Sequence, residues 1–231
     1  MAKIKINNIT IGDKYPPTII VELGINHSGN LDKAIHLVDI AKKNGANIIK
    51  HQTHIPNEEM SSSAKRIIPG NAKESIFEVI KKNCLSLDKE KKLAEYIRKK
   101  NMTFISTPFS FAAVDRLKEL KVPAIKIGSG ECNNYPLIKK IANLKLPVIL
   151  STGMNNYESI ARAVKILRNK KIKFALLQCT NVYPTPFEFI NINCVSTLKK
   201  KFPDAVVGIS DHSTSIYPSL STIPLGTRII E

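Results

Sequence analysis

The sequence of 231 residues has no tryptophan, only 19 acidic residues and no long apolar run. Its longest apolar runs fall far short of the roughly 20 residues that a membrane-spanning helix needs, and the N-terminus lacks the apolar core of a secretory signal. The four cysteines are widely spaced, with no Cys-x-x-Cys pair, which argues against a disulfide framework or a zinc knuckle. They are Cys84, Cys132, Cys179 and Cys194. We therefore expect a cytoplasmic protein with reduced thiols and no membrane partner.

Basic residues are in excess, and 35 lysines and arginines against 19 acidic residues give a formal net charge of +16. A charge of this size makes nucleic acid a candidate partner. The lysines, however, occur in short runs near the ends of predicted helices, as in 42–43, 99–100 and 199–201. No aromatic residues alternate with them as a base-stacking surface requires. The pattern predicts no nucleic-acid partner and a modest attraction for a phosphorylated substrate.

Eight short runs rich in β-branched residues recur along the chain, and each ends in small or polar residues. Amphipathic stretches lie between them, such as 31–44 with Gly45 at its predicted C-cap. The runs are 18–25, 47–53, 103–109, 124–130, 147–153, 174–180, 205–212 and 228–231. Strict alternation of strands and helices indicates either a doubly wound sheet or a (β/α)8 barrel.

The polar residues favour the barrel, because nearly every run carries them at its C-terminal end, the face on which barrels bind their ligands. A dinucleotide-binding fold would need a Gly-x-Gly-x-x-Gly turn after the first strand, and residues 24–29 do not supply one. The sequence therefore predicts an α/β fold, a TIM barrel over residues 15–231. We expect this barrel to be incomplete, because the chain ends within the eighth strand.

Two segments lie outside the repeat. Residues 1–14 alternate apolar and polar side chains around Asn7 and Asn8, which predicts an N-terminal β-hairpin. The long stretch 54–75 follows the second strand and reads as a loop on the ligand-binding side. Loops of this length are usually functional.

Two lysines stand inside apolar strands. Lys50 and Gln52 share one face of the second strand, because side chains alternate with period two. If that face is the barrel interior, the buried ammonium needs a carboxylate, a phosphate or a Schiff base to compensate it. Lys126 raises the same question independently. We expect at least one of the two lysines to lie in an anion site.

Hydroxyl groups beside glycine or at strand ends can hold phosphate oxygens together with backbone amides. Ser129, Ser151, Thr152 and Ser210 are placed in this way. Serine and glycine also simply end strands, so each of these residues is a weak signal when taken alone.

A histidine and two acidic residues are further candidates. His212 ends the seventh predicted strand, where a neutral imidazole could bind a divalent metal or transfer protons, although a lone histidine is more often structural. His51 and His54 are not predicted as a metal pair, because residues three apart in a strand face opposite ways. Glu22 and Glu131 are acidic residues on the predicted ligand-binding rim.

Taken together and in order, eight strings resemble the bacterial N-acetylneuraminate (sialic acid) synthases, from residue 18 to the last residue. The strings are Glu22-Leu-Gly-Ile-Asn-His-Ser-Gly29, Lys50-His-Gln-Thr-His54, Ile68-Pro-Gly-Asn-Ala72, Ile105-Ser-Thr-Pro-Phe-Ser110, Lys126-Ile-Gly-Ser-Gly-Glu-Cys-Asn-Asn-Tyr-Pro136, Leu150-Ser-Thr-Gly-Met-Asn155, Cys179-Thr-Asn-Val-Tyr-Pro-Thr-Pro186 and Gly208-Ile-Ser-Asp-His212. The set is far more specific than any one string.

The resemblance implies a (β/α)8 barrel followed by a small antifreeze-like domain, a domain-swapped homodimer and a divalent metal, typically Mn2+. The family condenses phosphoenolpyruvate with N-acetylmannosamine, or a related N-acylated mannose-type sugar, to give N-acetylneuraminate or a related nonulosonic acid plus phosphate. The implied phosphoenolpyruvate-binding residues are Lys50, Thr107, Lys126, Ser129, Ser151, Asn181 and Ser210. The implied sugar-side or catalytic residues are Glu22, Asn26, Gln52, Glu131 and Tyr183, and the implied metal ligand is His212.

The chain departs from the family pattern in two places. Pro224 stands where the last turn of a helix is expected before Gly226, which predicts that this helix is shortened or bent. The chain also ends at Glu231, before the second metal-ligand histidine of the family's Glu-x-His-Phe string and before the antifreeze-like domain. We therefore expect residues 1–231 alone to bind manganese weakly and to lack synthase activity.

Two other functions remain open from the sequence. Lys126 or Lys50 could form the Schiff base of an aldolase on the same barrel. The chain could also be a basic remnant that binds anions without turnover. The sugar is open as well: the string from Lys50 to His54 resembles enzymes that use N-acetylmannosamine, but relatives make legionaminic or pseudaminic acid.

Overall fold

The computed structural model describes residues 1–68 and 73–231. The strands found there are β1 (Lys3–Ile6), β2 (Ile9–Gly12), β3 (Thr18–Gly24), β4 (Ile48–Thr53), β5 (Thr103–Pro108), β6 (Ile125–Ile127), β7 (Val148–Ser151), β8 (Phe174–Cys179), β9 (Val206–Ser210) and β10 (Ile229–Ile230).

The α-helices of the same residues are α1 (Leu31–Lys43), α2 (Pro56–Glu59), α3 (Ile76–Asn83), α4 (Leu87–Lys99), α5 (Phe111–Glu119), α6 (Tyr135–Asn143), α7 (Tyr157–Asn169), α8 (Cys194–Lys201) and α9 (Tyr217–Ser221). Short 3-10 turns occupy Ala64–Arg66, Ser129–Glu131 and Phe187–Phe189. Among the described residues, no helix combines the length and the apolar character needed to cross a membrane.

Strands β3 to β10 form a closed barrel in the order β10-β3-β4-β5-β6-β7-β8-β9, so the predicted (β/α)8 barrel is confirmed. Strands β1 and β2 pair antiparallel, with Lys3 opposite Gly12 and Ile6 opposite Ile9. Asn7 adopts a left-handed conformation (φ 53°) in the turn between them. The predicted N-terminal hairpin is therefore confirmed as well.

The chain divides into two compact units, one made of Met1–Ile20 with Pro123–Glu231 and the other of Val21–Val122. In the unit Val21–Val122, β4 and β5 pair in parallel from Ile48 opposite Thr103 to Thr53 opposite Pro108. Both strands are buried along nearly their whole length, as is typical of parallel strands that are covered on both faces.

In the other unit, β10 pairs in parallel with β9 on one side and with the start of β3 on the other, although it has only two residues, Ile229 and Ile230. The residues on either side extend this pairing. The amides of Arg228 and Glu231 donate to carbonyl oxygens of β9 at 2.8 and 2.9 Å. The eighth strand thus closes the barrel over a short distance.

Side-chain caps fix the starts of most of the longer helices, and thereby the loops that follow the strands. In each case a polar side chain accepts a hydrogen bond from the backbone N–H three positions further on, which stabilises the helix by about 1 kcal/mol. The capping residues are Asn30, Ser75, Ser86, Ser110, Asn134 and Asn156.

The structure tests two further predictions, one on the segment 54–75 and one on the helix before Pro224. The segment 54–75 is not a plain loop, because it contains α2 and the turn Ala64–Arg66; residues 69–72 of the string 68–72 lie outside the described residues. Helix α9 ends at Ser221, three positions before Pro224. The predicted shortening of this helix is therefore confirmed.

Candidate active site

Lys50 of β4 is the first lysine predicted to need an anion, and it is 5% exposed. Its ammonium group forms an ion pair with the Glu22 carboxylate at the end of β3. It also lies 3.5 Å from the Thr107 hydroxyl oxygen on β5. Three residues that the sequence assigned to one site are thus brought together, and a carboxylate compensates the buried charge.

Gln52, two positions along the same face of β4, contacts an imidazole that the sequence did not assign. Its Oε1 lies 3.2 Å from Nε2 of His54, and Nδ1 of His54 lies 3.1 Å from both carboxylate oxygens of Glu59. The His54 ring also stacks on Phe109, with 4.3 Å between ring centroids. Glu59 in α2 therefore orients His54, and His54 orients Gln52.

His51 lies on the opposite face of β4 and belongs to a second polar cluster. Its Nε2 is 3.2 Å from Nε2 of His27 in the loop after β3. Its Nδ1 is 3.4 Å from Oε1 of Glu90 on α4, and Oε2 of Glu90 accepts a hydrogen bond from Arg116 on α5 at 3.3 Å. His27, His51 and Glu90 have no exposed surface.

Burial dominates the electrostatics of this cluster. It lowers the pKa of His27, against the opposing effect of a hydrogen bond to the Gly24 backbone. Burial, followed by the positive charge of neighbouring groups, lowers the pKa of His51 well below its ordinary value. Burial also raises the pKa of Glu90 to about 7, although Arg116 acts in the opposite direction. Burial therefore favours the neutral form of both imidazoles.

Lys126 of β6 is the second predicted lysine, and it is 3% exposed. Its Nζ donates to the Ser151 hydroxyl at 2.8 Å and lies 3.0 Å from Oε2 of Glu231, whose side chain is equally buried. Lys126 and Ser151 were assigned to one site from the sequence. Glu231 was not, although an acidic residue at the C-terminal end of a barrel strand is the signal that could have identified it.

The turn after β7 approaches two further predicted residues. The Gly153 amide donates to the Ser129 hydroxyl at 3.1 Å, and Asn155 donates to the Ser129 carbonyl at 2.9 Å. A Cβ atom at Gly153 would overlap Oδ1 of Asn181 and would lie 2.7 Å from the Cys179 carbonyl oxygen. Glycine is therefore required here, because any side chain would separate the backbone from Asn181.

His212 follows β9 and is held by the loop after β8. Its Nδ1 lies 2.9 Å from the Thr180 carbonyl oxygen, a contact that requires a proton on Nδ1 and leaves the lone pair of Nε2 available. The ring of Tyr183 lies 4.2 Å from the His212 ring, centroid to centroid. Ser210 and His212 line the same small pocket. A metal-ligating histidine is typically oriented by such a bond from its other nitrogen.

The residues beside His212 do not complete a metal site. The Asp211 carboxylate accepts hydrogen bonds from the Ser213 amide at 2.9 Å and from the Ser219 hydroxyl at 2.7 Å. In the described part of the chain, no group of three or more His, Cys, Asp or Glu residues is arranged to hold a metal ion. His212 fits the role of one ligand, and Asp211 is committed to its own loop.

Three of the predicted residues have contacts within their own loop or with His212. Asn26 donates to the Leu23 carbonyl within its own loop at 3.3 Å, and Glu131 accepts from Asn134 at 2.7 Å. Tyr183 is 65% exposed, although its ring contacts His212. These contacts orient the Asn26 and Glu131 side chains within their own loops and place the Tyr183 ring against His212.

The fold and the lysine sites together define a class of protein. It is a (β/α)8 barrel that buries lysine ammonium groups within its strands, beside hydroxyl groups, and that carries a glycine turn at the C-terminal end of β7. That face carries the ligands of such barrels, and ammonium groups with backbone amides hold small anions there.

Comparison with known proteins identifies the family. The model of the NeuB family matches residues 37–231, and the chain belongs to this family. It is 40% identical to the N,N'-diacetyllegionaminic acid synthase of Campylobacter jejuni, over 92% of this chain and 66% of that protein. It is 32% identical to the N-acetylneuraminate-9-phosphate synthase of Homo sapiens, over 96% of this chain and 62% of that protein.

A solved structure has the same fold. The N-acetylneuraminic acid (sialic acid) synthetase of Leptospira borgpetersenii, in complex with citrate, superposes with a TM-score of 0.90 at 35% identity, over 99% of this chain and 76% of that one. The chain spans about two thirds of the length of the curated relatives that it matches.

Proposed function

We propose that the chain forms the barrel of an enzyme that condenses phosphoenolpyruvate with an N-acylated mannose-type sugar and releases phosphate. The observation that carries this proposal is that two lysines are buried within barrel strands, Lys50 in β4 and Lys126 in β6, and that each contacts a hydroxyl and a carboxylate. A phosphate ester that also bears a carboxylate is a ligand of matching charge.

The proposed reaction balances as follows. The methylene carbon of phosphoenolpyruvate forms a bond to the aldehyde carbon of the open-chain sugar, and the aldehyde oxygen takes up a proton. The phosphate-bearing carbon becomes an oxocarbenium centre, to which water adds with loss of a proton. The resulting intermediate expels inorganic phosphate and leaves the keto group of a nonulosonic acid.

Each proposed role follows from local chemistry. Lys50 and Lys126 neutralise negative charge on phosphoenolpyruvate, with hydroxyls of Thr107, Ser129, Ser151 and Ser210 and the amide of Asn181 as further hydrogen-bonding groups. Glu22 is an acid–base group once an anionic ligand replaces it at Lys50. Gln52, Asn26, Glu131 and Tyr183 are proposed to contact the sugar.

A divalent metal, proposed to be Mn2+, would polarise the sugar aldehyde when bound. His212 is proposed as a ligand of this metal, because its Nδ1 bond to the Thr180 carbonyl leaves Nε2 as the coordinating atom. The chain's own residues supply the orientation of that imidazole.

The alternative of a Schiff-base aldolase is disfavoured by the same lysine contacts. A Schiff-base lysine must attack as a neutral amine. Lys50 and Lys126 both lie against carboxylates, which stabilise the ammonium form and make each lysine a poor nucleophile.

The function is tested by measuring phosphate release from phosphoenolpyruvate in the presence of Mn2+ and a panel of N-acylated sugars, using the protein that contains residues 1–231. We expect release that depends on the sugar, with N-acetylmannosamine and the precursors of legionaminic and pseudaminic acids distinguished by rate. Covalent trapping of substrate by borohydride at either lysine would instead establish the aldolase.

A first prediction concerns the support of Gln52. Replacing Glu59 with glutamine is expected to raise the KM for the sugar about fivefold, because one buried charge-assisted bond to His54 is weakened by about 1 kcal/mol. The KM for phosphoenolpyruvate should change less than twofold. The exposed neighbour Glu58 provides the matched control, since Glu58→Gln removes the same charge from the same helix. Equal KM values in both variants would show that Glu59 does not act on the sugar.

A second prediction concerns the metal. Replacing His212 with alanine is expected to remove Mn2+ binding, because the variant loses an imidazole whose Nδ1 bond to the Thr180 carbonyl leaves Nε2 available as a ligand. Electron paramagnetic resonance of free Mn2+ during titration measures this directly. His36→Ala, at an exposed site on α1, is the control. Undiminished Mn2+ binding by His212→Ala would show that the ligand lies elsewhere.

A further inference from the structure

A chain of buried polar side chains lies within the unit Val21–Val122 and does not include either predicted lysine site. His51 stands between Lys50 and Gln52 on β4 but points to the opposite face, because successive side chains of a strand alternate. It connects His27, in the loop after β3, with Glu90 on α4. His27, His51 and Glu90 thus form a continuous row of contacts. All three are fully buried and titratable, and none has been assigned a role.

Two hydrogen bonds determine which ring nitrogen carries the proton in His27 and in His51. The Gly29 amide donates to Nδ1 of His27 at 3.1 Å, so the proton of neutral His27 is on Nε2. That Nε2 faces Nε2 of His51 at 3.2 Å, so His51 must accept there and carry its own proton on Nδ1. Nδ1 of His51 lies 3.4 Å from Oε1 of Glu90, which is an electrostatic contact without the geometry of a hydrogen bond. The carboxylate is held in turn by Arg116.

This arrangement of hydrogen bonds requires both rings to be neutral. A second proton on His51 would place two N–H donors between the rings, and a second proton on His27 would face the Gly29 amide donor. Burial supplies this condition, since it lowers the pKa of both histidines. The neighbouring cationic groups and imidazoles also lower both pKa values: His54 and Lys89 act on His27, and His27, His54, Lys50 and Arg116 act on His51. Glu90, 3.4 Å from Nδ1 of His51, would act in the opposite direction when ionised.

At one end of this row of side chains, His27 lies in a loop whose backbone includes several positive φ angles. Gly24, Ser28 and Gly29 have positive φ angles of 54°, 52° and 70°, and the left-handed conformation of Ser28 costs free energy that glycine would not incur. A Cβ at Gly29 would also lie 2.6 Å from the Lys82 carbonyl oxygen. The His27 ring contacts both ends of this turn, through the Gly24 backbone and the Gly29 amide.

We infer that His27, His51 and Glu90 are positioning residues, which hold the loop after β3 so that Asn26 at its exposed tip and Glu22 at its base keep a fixed geometry. The Asn26 side chain is exposed and bonded only to its own loop in the contacts described above, so its position depends on the backbone. The role of Asn26 and Glu22 toward substrate rests on the proposed function, whereas the arrangement of the histidine protons does not.

The proton arrangement is tested by nuclear magnetic resonance of the protein with 15N-labelled imidazoles. The chain has five histidines, and single variants assign their signals. At pH 7 we expect His27 to be neutral with its proton on Nε2, and His51 to be neutral with its proton on Nδ1. A positively charged ring at either position, or a proton on the opposite nitrogen, would overturn the inference.

The positioning role is tested by His51→Phe, which keeps an aromatic ring against Phe104 but removes the acceptor for His27. We expect hydrogen exchange of the Gly29 amide to become at least about fivefold faster, and turnover to fall about tenfold with phosphoenolpyruvate affinity within twofold. His36→Phe on the exposed face of α1 is the matched control.

The possible results separate the inference from the proposed function. If the unsubstituted protein that contains residues 1–231 shows no synthase turnover with any of the sugars, the proposed function fails. The imidazole signals and the Gly29 exchange rate still decide whether the inferred arrangement of the loop is correct. If Gly29 exchange in His51→Phe equals that of the parent protein, the positioning role is overturned. The same conclusion holds if exchange accelerates while turnover stays at the parent value.

Discussion

Replacing Lys126 with alanine is expected to weaken phosphoenolpyruvate binding by about tenfold to a hundredfold. A charge-assisted hydrogen bond is worth roughly 1.5–3 kcal/mol, and the variant removes the ammonium group together with its bond to Ser151. Calorimetric titration of the protein that contains this chain, with and without the substitution, measures the change. Lys50→Ala is expected to act in the same direction, because it removes the other buried ammonium group.

The controls separate binding from stability. Lys126→Ala removes the ammonium group that pairs with the buried Glu231 carboxylate. Loss of one member of a buried ion pair typically destabilises a protein by several kcal/mol. The titrations are therefore carried out at a temperature at which circular dichroism shows that the variant is folded. Lys126→Arg retains the charge and should recover part of the affinity. Lys145→Ala removes an exposed lysine from the same unit and should change nothing. Unchanged affinity in both Lys50→Ala and Lys126→Ala would disprove the assignment.

Glu90→Gln is expected to change how stability depends on pH. The pKa of Glu90 is raised to about 7 in the folded protein from an ordinary 4.5, so folding favours its protonated form. Its contribution to stability is therefore fully present below pH 4.5 and is lost as pH rises through about 7. A difference of one pKa unit corresponds to about 1.4 kcal/mol. Between pH 4.5 and 7, the free energy of unfolding of the unsubstituted protein should therefore fall by about 3 kcal/mol relative to that of Glu90→Gln.

Chemical denaturation of both proteins at several pH values from 4.5 to 8 measures this difference. The titration of His27 and His51, whose lowered pKa values act in the opposite direction, is common to both proteins and cancels to first order. Glu119→Gln is the matched control, because Glu119 forms an exposed ion pair between the same two helices, α4 and α5. A stability difference between Glu90→Gln and the parent that stays constant from pH 4.5 to 8 would show that Glu90 titrates normally.

The alternation of strands with amphipathic helices was enough to predict the barrel, because period-two and helical patterns are local properties of the chain. The inward lysines were predictable for the same reason, since Lys50 and Gln52 share a face by spacing alone. The family resemblance assigned Lys50, Thr107, Lys126 and Ser151 to one binding set, and the parallel pairing of β4 with β5 and of β6 with β7 explains the contacts of Lys50 with Thr107 and of Lys126 with Ser151.

The partners that come from elsewhere in the chain were not predictable. Glu90 lies on a helix 39 positions beyond His51, and nothing in its local sequence marks it as buried rather than solvated. Glu59 lies in a stretch that reads as a loop but forms α2. Helix packing, which single-sequence periodicity does not specify, decides both contacts.

Both buried lysines carry an internal counter-ion, since the carboxylates of Glu22 and Glu231 form ion pairs with them. Entry of an anion at either lysine is therefore an exchange reaction, in which a carboxylate must give way. Chloride, a single charge without directional acceptor atoms, gains little from this exchange, whereas an oxyanion that accepts several charge-assisted bonds gains much more. We expect the resulting selectivity to come from two glutamates, independently of the large positive charge of the whole chain.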